Sequence, residues 1–157
     1  MKVKFSPLKL KQFELLESQF KFNVPKEGQV DVSSLFESYS VDIDFVHHFP
    51  EENTIQVFVK VKVNNLKKPK PGYVLFSEGM GIFEIQKSDS IDEKLSGNLR
   101  FYSTLNMMIN NLRNIMYQIS NLGPMGGYLL PPIDVLDLFK KKENDQGKQS
   151  AEKYNKS

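Results

Sequence analysis

The chain has 157 residues, of which 25% are charged and 39% hydrophobic, with a net charge of +2 and no cysteine. These totals predict one soluble, cytoplasmic domain, and they exclude disulfides, thiolate metal sites and thiol nucleophiles. The charged first residues and the absence of a long apolar run argue against a signal peptide and a membrane span. A net charge this small gives no electrostatic argument for nucleic acid.

The first half of the sequence alternates between apolar and polar residues, as antiparallel strands do. Residues 8–24 predict a first strand, and a slip in its phase predicts a bulge or bend at Leu15–Glu17. Residues 39–45 and 55–63 predict two further strands. Acidic residues of the second would face lysines of the third, a cross-strand pairing worth a few tenths of a kcal/mol.

A fourth strand is predicted from Tyr73 to Gln86, interrupted at Gly79 and Gly81 by a bulge or by the close approach of another backbone. The connection from Pro25 to Ser38 is apolar and contains a segment suited to a short helix, with Asp31 or Ser33 as its cap. An apolar connection of this length packs on the core or shields another surface.

The polar segment Ser88–Asn98 predicts a loop, and Phe101–Leu122 predicts a long helix. Its apolar residues recur at spacings of three and four, which places them on one stripe: Leu105, Met108, Ile109, Leu112, Ile115, Met116, Ile119 and Leu122. The opposite side is polar but nearly uncharged, which favours contact with another protein surface over contact with solvent. We therefore expect an oligomer interface there: Asn106, Asn110, Arg113, Asn114 and Gln118.

A glycine-rich corner and an apolar strip follow the long helix, and a second helix is predicted to begin at Pro132–Ile133, with proline at its first position. We predict one domain over residues 1–140. The remaining residues 141–157 are polar, which predicts disorder or a frayed extension of the last helix.

Three segments in this order resemble the SecB family of protein-export chaperones: Gly72–Ile85, Asn98–Gly123 and Tyr128–Phe139. The first is a strand with a glycine and an Ile-Phe ending, the second a long helix, and the third a leucine–proline strip that opens a last helix. The helix keeps an arginine, Arg113, where family members have a Pro-Tyr-Ala-Arg-like stretch, and lacks the proline. The segment after Phe139 carries 6 Lys against 3 acidic residues, whereas family members are usually acidic.

The resemblance implies an α+β fold: a four-stranded antiparallel sheet with a long helix and a short C-terminal helix packed on one face. It also implies a homotetramer built as a dimer of dimers, with the long helices between the sheets. Extended, unfolded polypeptide clients would lie in apolar grooves between the loop after the first strand and the last helix. Mapped by position, the client-binding residues would be Val30, Val32, Leu35, Phe36, Tyr39, Met80, Ile82, Phe83, Leu136 and Phe139.

The function that follows is an ATP-independent holdase for unfolded preproteins in protein export, with no catalytic residue, cofactor or metal. The alternative is a SecB-like adaptor dedicated to one partner, such as an antitoxin or the translocation motor ATPase. An enzyme would need a convergent polar pocket, which the sequence does not indicate. We expect neither nucleic-acid binding nor membrane insertion.

Three smaller patterns each have two interpretations. His47 and His48, with two following glutamates, suggest a metal patch or a polar hairpin loop, and adjacent strand residues point to opposite faces. The glycine-rich segments EGMGIF and GPMGG suggest a phosphate cradle or tight turns and close packing. A run of lysines suggests contact with nucleic acid or an acidic partner, or a solvated edge: Lys60, Lys62, Lys67, Lys68 and Lys70.

Overall fold

The computed structural model describes residues 1–26, 28, 31–86 and 91–154, with side chains up to residue 145. Its elements in chain order are β1 (Leu8–Asn23), α1 (Val32–Glu37), β2 (Val41–Glu51), β3 (Thr54–Val63), β4 (Gly72–Ile85), α2 (Glu93–Asn98), a π-helical turn (Leu99–Ser103), α3 (Thr104–Ser120) and α4 (Val135–Tyr154). The predicted α+β fold class is confirmed, because a four-stranded antiparallel sheet is accompanied by a long helix and a C-terminal helix.

The strands lie in the order β1-β4-β3-β2, with every neighbouring pair antiparallel. The register of β1 against β4 shifts between Leu15 and Glu17, as the sequence predicts. A second shift, between Leu10 and Gln12, was not predicted. Each bulge lets β1 bend without losing its pairing with β4.

The alternation of β3 separates a core face from a polar face. Its five odd-numbered residues from Ile55 to Val63 are all 0% exposed. On the other face Lys62 pairs with Asp42 of β2 at 3.6 Å, which confirms one of the predicted cross-strand pairs. Lys60 instead reaches Glu78 of β4, at 3.4 Å.

The two glycines of β4 do not interrupt the strand, which runs unbroken from Gly72 to Ile85. The prediction of a break is therefore wrong. A Cβ built on Gly81 would overlap the sulfur of Met108, and one on Gly79 would lie 3.1 Å from a methyl group of Leu112. Because these two glycines have no side chains, α3 can pack closer to the sheet where it contacts β3 and β4.

The helical region starts at Glu93, earlier than predicted, so the predicted loop at 88–98 is wrong for its last six residues, while 88–90 lie outside the described residues. Asp92 caps this start, since its Oδ1 accepts from Leu95 N at 2.7 Å. The N-cap Asp31 of the predicted short helix α1 is confirmed by a similar bond from Ser33 N.

The apolar stripe of α3 is shorter than predicted. Ile115 and Ile119 are only half-buried, and Leu122 is 88% exposed in the turn beyond the helix. The residues that are buried against the sheet are Leu105, Met108, Ile109, Leu112 and Met116.

Helix α4 begins at Val135, not at Pro132–Ile133 as predicted. Asp134 caps the N-terminus of this helix, because its Oδ1 accepts a hydrogen bond from Asp137 N at 3.1 Å. Pro131 and Pro132 belong to the extended strip before the helix. Proline has no backbone N–H, and at these positions outside the helix its absence removes no helical hydrogen bond. In the described part of the chain, no helix has the length and apolar character needed to cross a membrane.

Replacing Leu112 by alanine tests this packing. Leu112 is 0% exposed between α3 and the sheet, so Leu112→Ala is expected to lower the free energy of unfolding by about 2–5 kcal/mol. Leu122→Ala removes the same atoms from an exposed position and is expected to cost less than about 0.5 kcal/mol. Chemical denaturation of both variants measures the difference, and equal losses would contradict the assignment of the stripe.

Candidate functional site

The first apolar surface beside α3 is a group of six rings, which we call the tyrosine cluster: Phe20, Phe22, Phe36, Tyr39, Tyr73 and Tyr128. Their ring centroids lie 5.0 to 5.9 Å apart, in tilted and edge-on arrangements. The cluster joins β1, α1, β4 and the corner after α3. The three tyrosines are buried, and the phenylalanines at its rim are partly open to water.

Backbone hydrogen bonds hold the tyrosine hydroxyls in place. Tyr39 Oη donates to Pro71 O and accepts from Tyr73 N, both at 2.9 Å. Tyr73 Oη accepts from Met125 N at 2.7 Å, which ties the corner to β4. Burial raises the pKa of Tyr39, and it raises the pKa of Tyr128 to about 12. The Tyr39 and Tyr128 hydroxyls therefore stay neutral, and the Tyr39 hydroxyl serves as a structural donor and acceptor.

The glycine-rich corner packs directly on these rings. A Cβ on Gly123 would lie 2.6 Å from Tyr73 Oη, and one on Gly127 would lie 2.5 Å from the Tyr117 ring. Gly72 has φ +89° and faces Tyr39 Oη so closely that a side chain would overlap it. The structure favours the interpretation of these glycines as close packing over a phosphate cradle.

The second apolar surface surrounds one histidine, and we call it the histidine cluster: Phe45, His47, Phe49, Phe101, Tyr102 and Phe139. It joins β2, the π-helical turn and α4. His47 Nε2 lies 3.1 Å from Thr104 Oγ1. Burial lowers the pKa of His47 to about 4, a backbone hydrogen bond with Phe101 acts in the opposite direction, and the charge of Lys142 lowers it further.

Helix α4 is attached to β2 at this cluster by one ring and one cation. The Phe139 ring lies 4.8 Å from that of Phe45. Lys142 Nζ lies 2.8 Å from Asp44 Oδ1 and 4.6 Å from the centre of the Phe45 ring. The attachment is narrow, and the exposed residues of α4 beyond it face away from the core.

A cavity of about 470 Å³ opens between the start of α3 and the start of α4. Tyr102, Ile133, Val135 and Leu136 give it apolar walls, and Leu136 is 55% exposed. Apolar walls with a few polar groups at the edge are typical of binding clefts. Here the polar edge consists of Ser103, Asn106 and Asp134.

The predicted client-binding residues of the first loop lie together at the tyrosine cluster. Leu35 and Phe36 are half-buried at its rim and Tyr39 is buried inside it, while Val32 is half-buried at the first position of α1. Val30 lies outside the described residues. Of the last helix, Leu136 borders the cavity and Phe139 is half-buried in the histidine cluster.

The predicted residues of β4 do not form one surface with each other. Phe83 is 0% exposed and faces the helices, so it belongs to the core. Met80 and Ile82 point to the opposite face of the sheet, where Met80 pairs with Phe58 of β3 and is itself buried. Successive residues of a strand point to opposite faces, so these three residues do not line one groove together.

The predicted interface on the back of α3 contains residues with different environments. Asn106, Asn114 and Gln118 are exposed, while Asn110 and Arg113 are half-buried. The guanidinium of Arg113 donates from Nε to Leu130 O at 2.8 Å and from Nη2 to Pro131 O at 3.1 Å, and it also contacts Asn110. Arg113 therefore holds the strip before α4, a role that the sequence interpretation missed.

The two histidines point to opposite faces, so they do not converge on one ion. His47 lies in its cluster, whereas the His48 ring lies 5.8 Å from Phe58 on the other face. Among the residues that the structure describes, no group of three or more candidate ligands could hold a metal. The interpretation as a polar loop missed the histidine cluster, although His47 has the same two-residue period as Phe45 and Phe49.

The partial burial of His47 predicts that the free energy of unfolding depends on pH. Its pKa is about 4 in the folded chain, below the unfolded value of about 6.5, so protons favour the unfolded state. This contribution of His47 to the free energy of unfolding is fully present above pH about 6.5 and is lost as pH falls through 4. The full shift corresponds to at most about 3 kcal/mol, and the partial exposure of the ring to water makes the loss smaller. His47→Phe is expected to remove this part of the loss, measured as the free energy of unfolding at several pH values. An unchanged pH profile would contradict the burial of the neutral ring.

Comparison with solved structures finds a similar fold at low sequence identity. The Mycobacterium tuberculosis Rv1957 SecB-like chaperone, in complex with a ChAD peptide from the Rv1956 HigA1 antitoxin, matches with a TM-score of 0.52 and 12% identity, over 80% of this chain and 90% of that one. A Streptococcus agalactiae protein of unknown function matches with a TM-score of 0.42 and 9% identity, over 80% and 97%. No family model matches the sequence, and no curated protein matches it significantly. The chain thus has a SecB-like fold.

Proposed function

We propose that this protein is an ATP-independent chaperone that binds extended apolar polypeptide on the helix side of its sheet. The observation that carries the proposal is the open cavity between α3 and α4, beside which Leu136 is 55% exposed. The half-buried Leu35 and Phe36 at the tyrosine cluster offer a second apolar area on this side. On the sequence resemblance, we extend the proposal to unfolded preproteins awaiting export.

The energetics favour weak, sequence-tolerant contacts at each site. Apolar surface removed from water contributes about 25 cal/mol per Å², and ordering a flexible client offsets much of that gain. One cavity would therefore hold a client only briefly. Several copies acting on one long chain would gain avidity, and for this reason we include a homotetramer in the proposal, with Asn106, Asn114 and Gln118 at the interface between copies.

We propose no catalytic step. Two polar side chains near the clusters have structural partners: His47 contacts Thr104, and the hydroxyl of Ser120 accepts from Tyr128 N at 2.7 Å. The raised pKa of the buried Tyr128 makes its hydroxyl a poor base near neutral pH. Binding alone accounts for these arrangements.

Suppression of aggregation during dilution of a chemically unfolded test protein, without nucleotide, measures holdase activity. The wild-type protein is expected to suppress aggregation in proportion to its concentration. Leu136→Glu places a charge beside the apolar walls of the cavity and is expected to weaken client affinity about 10-fold, because a client would bury that charge.

Val46→Glu is the matched control, because Val46 is 43% exposed and lies on the opposite face of the sheet. This variant is expected to retain wild-type suppression. No suppression by the wild-type protein, or the same loss in both variants, would contradict the proposed site.

A second candidate function is an adaptor for one partner, such as an antitoxin. The antitoxin peptide held by the Mycobacterium tuberculosis protein of similar fold favours it. An adaptor would bind one peptide of an array tightly and suppress general aggregation poorly. A holdase would bind many apolar peptides with similar, weaker affinities, and the spread of affinities across the array separates the two.

A further inference from the structure

The face of the sheet that points away from the helices carries a second groove, of about 770 Å³, between the β3–β4 loop and the end of β1. We call it the lysine groove, and its main lining residues are Gln19, Lys21, Leu66, Lys67, Val74 and Phe76. Gln19 and Lys21 lie opposite Phe76 and Val74 in the β1–β4 register, which forms its floor and one wall. The loop residues form the other wall.

The floor of the lysine groove is apolar. Val74 and Phe76 are half-buried, and Leu66 is 55% exposed above them. Apolar side chains at the bottom of a concave surface gain free energy when a partner displaces water from them. Its volume is within the range of about 300–1,000 Å³ that is usual for binding sites.

The rim of the groove is cationic and has no internal counter-charge. Lys21 and Lys67 stand on opposite walls, and none of the lining residues is acidic. Within the described part of the chain, neither of these two lysines forms an ion pair. Both are exposed, so their charges are available to a partner.

Three other lysines of the nearby run are already engaged. Lys60 and Lys62 pair with acidic residues of neighbouring strands, and Lys70 Nζ donates to Ser38 O at 2.6 Å. Within the described part of the chain, neither Lys67 nor Lys68 forms an ion pair, and of these two Lys67 lines the groove. The lysine run is not a uniform basic surface.

We propose that the lysine groove binds a short acidic polypeptide segment of another protein, with apolar side chains placed between its carboxylates. The carboxylates would pair with Lys21 and Lys67, and the apolar side chains would cover Val74 and Phe76. A nucleic acid fits less well, because its affinity comes from many phosphate contacts and an apolar floor offers none. The groove is on the opposite face from Leu136, so this proposal does not depend on the proposed client cavity.

Fluorescence anisotropy tests the proposal with labelled probes and the full chain. The probes are a short peptide that alternates Asp with Leu and Phe, the same peptide with Lys for Asp, the same peptide with Ser for its apolar residues, and a single-stranded DNA. Only the first is expected to bind well. Lys21→Glu combined with Lys67→Glu is expected to weaken its binding at least about 10-fold, since two attractions become repulsions.

Two further variants separate the groove from net charge and from the client cavity. Lys94→Glu combined with Lys140→Glu makes the same change in charge at exposed positions outside the groove lining, and it is expected to leave binding within about 2-fold. Leu136→Glu is also expected to bind the acidic peptide normally. Equal losses in the two double variants, equal binding of the serine peptide, or tighter binding of DNA would each overturn the proposal.

Discussion

The width of one helix is the constraint on which the rest of this structure depends. An α-helix is about 10 Å across with its side chains, whereas four strands spaced about 4.8 Å apart present a wider apolar face. Helix α3 packs on β3 and β4, and the glycines of β4 bring it close to the sheet. The apolar surface over β1 and β2 must then be covered by other segments.

Those other segments cover the surface with aromatic rings and leave gaps. On the β1 side, the hydroxyls of Tyr39 and Tyr73 form hydrogen bonds with backbone groups, and the backbone N of Tyr128 donates to Ser120 Oγ. On the β2 side, Phe139 and Lys142 attach α4 at one place. Rings have few rotamers and pack rigidly, so the openings between segments persist as grooves. The segments that complete the core therefore cover the sheet only in part, and some apolar surface stays accessible to other chains.

The sequence predicts those parts of the fold that depend on local periodicity. The alternation in β3, the bulge at Leu15–Glu17 and the cap at Asp31 are of this kind. The start of α2 is not predicted, because the segment Ser88–Asn98 is polar and shows no helical period. The core position of Phe83 follows from the two-residue period of β4, which a likeness between whole segments does not resolve. The histidine cluster was missed for a different reason. It forms from three segments that are distant in sequence. His47 is a polar residue, so its packing against aromatic rings becomes evident only when the fold brings these segments together.

The central claim is that polypeptide lies on the helix side of the sheet, in the gap beside α3. Photo-crosslinking to an unfolded client measures this most directly, with a photoreactive phenylalanine analogue placed at position 36, 136 or 46 in turn. The account predicts crosslinks from positions 36 and 136, which border the open apolar surface, and few from position 46 on the opposite face. Crosslinks from position 46 alone, or from none of the three, would contradict it.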